Sequence, residues 1–404
     1  MLINLSLLRR NPNFTLLYTG QVVSFAGTMI TGVALPWQIY HLTHSVVMIG
    51  LLSLFQLLPL LFTALLGGVL ADRYPRRKML LTAECILACG CLILMWNAGW
   101  MRPSVILIFI AAMIMSSFNG LHRPALESLT QQIVAPEDYP AASALTGLKF
   151  NLCLILAPAL GGLLIAHAGL VVTYLIDFVS FAASMLTLVL MRSVPSPAFA
   201  KKHEDSLWTS LKEGLRYAGK RQELLGSYLV DFVAMVFGMP TALFPVIAQS
   251  YGGAEALGLL YSAPAVGALV VSVFSGWTAR IERYGMAIAL SATGWGTAII
   301  FFGLAHQLIW VLFFLALSGA FDQISGIFRQ VLWNKSIPNQ LRGRLAGIEM
   351  ISYLSGPKLG DTEASLVASA FGVTASILSG GVLCVVGVLA CCWFLPGFRR
   401  YPKT

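Results

Sequence analysis

The chain has 404 residues, 57% of them hydrophobic and only 11% charged, with a formal net charge of +9. A soluble domain typically carries about 25% charged residues, so the composition excludes an ordinary water-soluble fold and points to a bilayer. A basic balance also marks nucleic-acid surfaces, so the excess of Lys and Arg is interpreted only through its placement.

Apolar segments of spanning length are predicted at 14–42, 46–71, 78–99, 103–132, 138–166, 169–191, 222–249, 254–279, 284–304, 307–334, 341–369 and 371–395. Each is long enough to cross a hydrocarbon core of about 30 Å as a helix. The expected fold is an all-α membrane protein of twelve transmembrane helices. Of the 26 Lys and Arg residues, 21 fall at the two ends or in loops after even-numbered spans, Arg102 lies on the opposite side, and Arg123, Lys149, Arg329 and Lys358 lie inside spans. By the positive-inside rule both termini are cytoplasmic. The basic charge is thus a topology signal, and no nucleic-acid partner is expected.

Arg9 and Arg10 follow a short apolar stretch with no small-residue cleavage site, so no cleavable signal peptide is expected. The first span carries Gln21, Ser24 and Thr28 as hydrogen-bonding groups, together with Phe25. Glu84, near the inner end of the third span, reads as interfacial. In the fourth, Asn119, Arg123, Glu127 and Gln131 recur every four residues and form one polar ridge beside Phe118 and His122. Lys149 and Asp177 follow in the fifth and sixth.

The longest hydrophilic stretch, Arg192 to Arg221, separates a first bundle (1–191) from a second (222–404) as a linker (192–221). Within it Leu207, Leu211 and Leu215 at four-residue spacing predict an amphipathic helix on the inner leaflet, with a solvated linker as the alternative. Short repeats support the division. GLL at Gly50 precedes Gly68-Val69-Leu70-Ala71-Asp72-Arg73 as GLL at Gly258 precedes Gly276-Trp277-Thr278-Ala279-Arg280, and Ala157-Pro158-Ala159-Leu160-Gly161-Gly162 parallels Gly356-Pro357-Lys358-Leu359-Gly360-Asp361.

Asp231 lies in the seventh span, and Asp322, Gly326 and Arg329 share a face of the tenth. Lys358 and Asp361 share a face of the eleventh, with Glu363 about 140° around from Lys358. A charge at the bilayer centre costs about 2.5–3.5 kcal/mol on insertion scales, so each is a candidate for function. Acids in such places suit a proton carrier, which must alternate between protonated and charged forms; a fixed ion pair with Arg329 or Arg123 is the other reading of Asp231 and Asp322. Arg123 with Glu127 reads equally as a brace at the inner gate. The seven cysteines all lie in apolar spans and have neither zinc spacing nor a disulfide framework. No metal site, cofactor site, phosphate loop or hydrolase triad is visible, and no enzyme is expected.

After the second span the chain reads Gly68-Val69-Leu70-Ala71-Asp72-Arg73-Tyr74-Pro75-Arg76-Arg77-Lys78. This resembles the G-x-x-x-D-R-x-x-R-R-K signature of the major facilitator superfamily; the second-half counterpart departs from it, with Arg280 where the Asp would stand. Asn4 to Leu8, Pro12, Phe14, Gly32 to Pro36, Gln38-Ile39 and Thr43 to Ser45, with Leu341 to Gly347 further on, resemble the drug:proton antiporter branch and the siderophore exporters within it. The resemblance implies two six-helix pseudo-symmetric bundles, with the first, fourth, seventh and tenth helices lining a central cavity. It implies a gating role for Asp72, Arg73 and Arg76, to which Glu363 is added on the outer side.

The proton candidates are Asp231, Asp322, Asp361 and Glu127. The substrate candidates are Gln21, Phe25, Phe118, Asn119, Arg123, Arg329 and Lys358, whose basic members suit an anion. The expected function is proton-coupled export of a siderophore or similar anionic amphipathic molecule across a bacterial inner membrane, by a monomer whose partners are that small molecule, protons and the lipid bilayer. A multidrug or macrolide-type efflux pump is the alternative, and a non-transporting receptor or an enzyme is a more distant one.

Overall fold

The computed structural model describes residues 6–192, 216–338 and 341–401, without the side chains of 68, 69, 71–73, 342–344, 346 and 347. The predicted amphipathic helix at Leu207 to Leu215 lies outside the described residues, as do the side chains of the gating candidates Asp72 and Arg73.

Among the described residues the chain is helical, with no β-strand. After the single turn α1 (Ser6–Arg10) come α2 (Pro12–Thr43), α3 (Val46–Arg73), α4 (Arg76–Ala98), α5 (Val105–Ile133) and α6 (Tyr139–Leu190). The rest comprises α7 (Gln222–Phe237), α8 (Phe244–Gln249), α9 (Ala254–Val273), α10 (Tyr284–Leu304), α11 (Leu308–Ser336), α12 (Arg342–Phe371), α13 (Val373–Phe394) and the turn α14 (Pro396–Arg399).

Local chemistry sets several boundaries. Asn11 caps α2 by accepting from the Phe14 amide at 3.0 Å, with Pro12 in the first turn where its missing N–H costs nothing. The helix stops at His44, which takes the left-handed conformation at φ 50°. Ser104 caps α5, and Asn97 at the end of α4 accepts from the Ser104 amide at 2.8 Å, closing that turn.

Ten membrane-spanning candidates are found among the described residues, where twelve were expected. One difference is α6, which holds the predicted spans 138–166 and 169–191 end to end and is broken by Gly169 at φ 77°, ψ 173°. The other is α12, which carries Lys358, Asp361 and Glu363 and is too polar to qualify by composition.

The described residues fall into two compact units. The first holds 6–44, 55–192 and 248–262; the second holds 45–54, 216–247 and 263–401. In the first, Leu17, Leu80, Leu129 and Leu188 from α2, α4, α5 and α6 are buried together. The start of α9 lies against α6 so closely that a Cβ on Gly162 would strike the Ala254 carbonyl, and one on Gly258 the Pro158 carbonyl. Small residues permit such helix approach in a membrane. In the second unit α10 packs on α11 and α13, and α7 on α12 and α13. The α7–α8 connection is an interrupted helix: α7 ends at Gly238, Pro240 removes a donor, and a short 3₁₀ turn at Thr241–Leu243 restarts the chain.

Candidate functional site

In the second unit the structure brings three of the expected residues together. Asp322 and Arg329 are seven residues apart on α11, two turns along one face. Arg329 forms an ion pair with Asp231 of α7, and its Nη2 lies 3.6 Å from Asp322 Oδ1. Arg329 and Asp231 are buried, while 44% of the Asp322 side chain is exposed. Asp231 is thus in direct contact with the guanidinium, and Asp322 is the more exposed of the two acids. Tyr228, nearly one turn before Asp231, stacks on Trp333, one turn after Arg329, with ring centroids 5.1 Å apart. The stack holds α7 to α11 beside the charges. One guanidinium shared by two carboxylates is a place where an anion can compete for the cation, and protonating the exposed acid would favour the anion.

Asp361 is held elsewhere in the same unit. Its carboxylate accepts from Ser53 Oγ at 2.8 Å, Thr241 Oγ1 at 2.5 Å and the Ala242 amide at 2.8 Å. These partners join α12 to α3 and to the restart after the α7 break, where an acid suits the exposed N–H groups of a helix start. Trp295 Nε1 donates to the carbonyl of Gly238 at 2.9 Å on the other side of the break. Lys358, on the same face of α12, adds its charge to these hydroxyl and amide partners of Asp361. Lys358 is half-buried, and Glu363, nearer the end of α12, is also half-buried.

Gln21, a substrate candidate that could equally bind neighbouring helices, is turned inward onto them. Its Nε2 donates to Glu84 Oε1 at 2.7 Å and lies 3.3 Å from Ser184 Oγ. Glu84 was expected at the membrane interface; it is 0% exposed, between α2, α4, α5 and α6. Depth along a helix is legible from its flanks, whereas the face a residue presents depends on packing between segments far apart in sequence. Asp177 is also buried, and accepts from Thr31 Oγ1 at 2.5 Å and from Cys91 Sγ at 3.2 Å.

The remaining candidates are separate. Arg123 pairs with Glu127 at 3.1 Å, with side chains 58% and 63% exposed, and half-buried Phe118 and Asn119 precede them on α5. Phe25 stacks on Phe150 at 5.5 Å, with Lys149 Nζ 5.6 Å from its ring centroid. Arg76 donates to the Ser128 carbonyl at 3.2 Å, and Arg77 to the Val189 carbonyl at 2.7 Å. The signature loop's arginines thus satisfy carbonyls near the ends of α5 and α6. No group of three His, Cys, Asp or Glu able to hold a metal ion occurs among the described residues.

Long apolar helices with a few buried charges and interrupted segments define a polytopic membrane protein, and solved transporter structures share the fold. A POT family transporter in complex with 5-aminolevulinic acid aligns over 96% of this chain and 97% of its own, with a TM-score of 0.75 at 13% identity. The nucleoside transporter NupG aligns over 94% and 98%, with a TM-score of 0.71 at 15% identity. At such identities the likeness speaks for the fold alone.

Within that class the chain belongs to the transmembrane secretion effector family of the major facilitator superfamily, whose family model matches residues 5–399. The enterobactin exporter EntS of Shigella boydii serotype 18 is 30% identical over 411 residues, covering 100% of this chain and 96% of the exporter. EntS of Escherichia coli O1:K1 / APEC has the same identity and coverage. The family and these relatives are membrane transporters, not enzymes.

Proposed function

We propose that the protein exports a siderophore or a similar anionic amphipathic molecule across the bacterial inner membrane, driven by protons and working by alternating access. The observation that carries this reading is Arg329, buried between Asp231 and Asp322. A cation held by two acids accepts an anionic group when one acid takes up a proton, and returns to the acid when the proton leaves. The name of the relatives, enterobactin exporters at 30% identity over the whole chain, supplies the cargo class.

The proposal includes twelve crossings, counting both parts of α6 and the polar α12, with two halves joined at 192–221. Both termini are cytoplasmic, and the chain acts as a monomer with protons, lipid and one small-molecule substrate. Asp361, tied to Ser53 and Thr241, joins α3, α12 and the α7–α8 break, a suitable place for contacts that open and close with access. Asp72, Arg73 and Arg76 serve the inner gate.

The test is release of siderophore by a clean deletion strain under iron limitation. Loss of release, restored by the gene but not by Arg329→Ala, supports the proposal; normal release overturns it. The exposed side chain of Asp322 favours one second reading, a pump for cationic drugs, because an accessible acid attracts cations. Drug sensitivity without a siderophore phenotype selects that reading.

A further inference from the structure

We infer that Glu84 and His122, with Gln21 and Ser184, form a proton-binding site in the first unit, distinct from the acids around Arg329. The inference rests on the transport reading above and identifies a place where the coupled proton is held.

Four helices converge on one carboxylate oxygen. Gln21 Nε2 of α2 lies 2.7 Å from Glu84 Oε1, Ser184 Oγ of α6 2.8 Å, and His122 Nε2 of α5 3.3 Å. The other oxygen, Oε2, is buried and has no hydrogen-bond partner. Buried carboxylate oxygens are normally satisfied, and leaving one bare is costly for a charged group. The arrangement is asymmetric in a useful way: Oε2 can take a proton without displacing any of the three contacts on Oε1. An acid present only to tie helices together would spread its donors over both oxygens, as Asp361 and Asp177 do.

His122 supplies the path. Its side chain is 16% exposed against 0% for Glu84, so the imidazole lies between the buried acid and the outside of the cluster. Adding a proton to neutral His122 beside charged Glu84 makes a compensated pair; moving that proton to Oε2 makes both groups neutral. Either form is tolerated in a low-dielectric interior better than the lone carboxylate.

The surrounding groups leave the proton to this pair. On α4 and α6 the next titratable groups along the same faces are Cys91 and Asp177, each seven residues away and bonded to one another at 3.2 Å. On α2 the neighbouring face carries Ser24 and Thr31, the latter engaged with Asp177. Arg123 and Glu127 of α5 pair on the exposed side, and Lys149 of α6 lies over Phe25.

The experiment uses the full chain reconstituted in liposomes. Infrared difference spectra between acidified and neutral vesicles are expected to show a carboxylic-acid C=O band that Glu84→Gln removes. In the same vesicles, with enterobactin as probe, Glu84→Gln is expected to lose pH-gradient-driven transport and to keep exchange at equal pH. His122→Gln is expected to lose the acceleration that a gradient gives to the wild type. An unchanged band in Glu84→Gln, or full gradient-driven transport in both variants, overturns the site. If Glu84→Gln does not fold, His122→Gln decides alone, and an intact acceleration overturns the inference. If the wild type moves no enterobactin under any gradient, the proposed cargo fails while the infrared arm still decides the proton site.

Discussion

In the first compact unit, Glu84 and Asp177 are surrounded by hydroxyl, amide, thiol and imidazole groups; in the second, Asp231 meets a guanidinium directly. The difference lies in what each acid needs in order to stay charged. An acid among neutral donors can be neutralised by one proton at little disturbance to its neighbours. An acid paired with buried Arg329 cannot change state alone, because its protonation leaves an uncompensated cation. Asp322, half-exposed and 3.6 Å from the same guanidinium, stands between the two cases.

The contrast breaks most visibly at Arg329. Arg329→Ala leaves Asp231 buried without its partner and is expected to destabilise the protein by about 3–5 kcal/mol, read as a large drop in melting temperature of purified protein. A double variant with Asp231→Leu is expected to recover much of the loss; no recovery would mean that the two residues are not energetically paired. A smaller effect is expected at Asp361, where Asp361→Ala removes three hydrogen bonds and leaves the Ala242 amide unsatisfied. About 2–3 kcal/mol should be lost, with increased protease cleavage near Gly238 to Leu243 as the local check.

Glu84→Gln sharpens the comparison from the other side. The amide keeps an acceptor for Gln21 and Ser184 and removes the charge, so a change of about 1 kcal/mol or less is expected. A loss as large as that of Arg329→Ala would place Glu84 among the acids that must remain charged. The smallest effect belongs to Arg123→Ala. The Arg123–Glu127 pair lies largely in the open, and removing it is expected to change thermal stability by no more than about 0.5 kcal/mol.

The helical membrane architecture was legible because long apolar runs admit few alternatives, and Asp322 with Arg329 was legible because their spacing places them on one helical face. Asp231 was identifiable as an acid in a neighbouring span with Arg329 or Arg123 as candidate partners, and only packing between α7 and α11 selects Arg329. The network around Glu84 was illegible for a different reason. Gln21, Glu84, His122 and Ser184 come from four helices and as many as 163 positions of sequence separation, and no periodicity within one segment reports which face meets which. The polarity of α12 was legible as exceptional, and so was the placing of Lys358 and Asp361 on one face, whereas the hydroxyl and amide partners of Asp361 on other elements were not. The restart at Thr241 became visible only when α7 and α8 were seen as one interrupted helix.

That interruption changes what bending costs. In a continuous membrane helix, a sharp bend must pull apart main-chain hydrogen bonds where no water can replace them. Between Gly238 and Leu243 the chain has given up helical continuity already, and its loose ends are held by side chains from other helices: Trp295 on the Gly238 carbonyl and Asp361 on the Ala242 amide. Side-chain anchors can follow a moving backbone by rotating about their own bonds. A change of angle at this segment would therefore break fewer main-chain hydrogen bonds than the same change in a continuous helix.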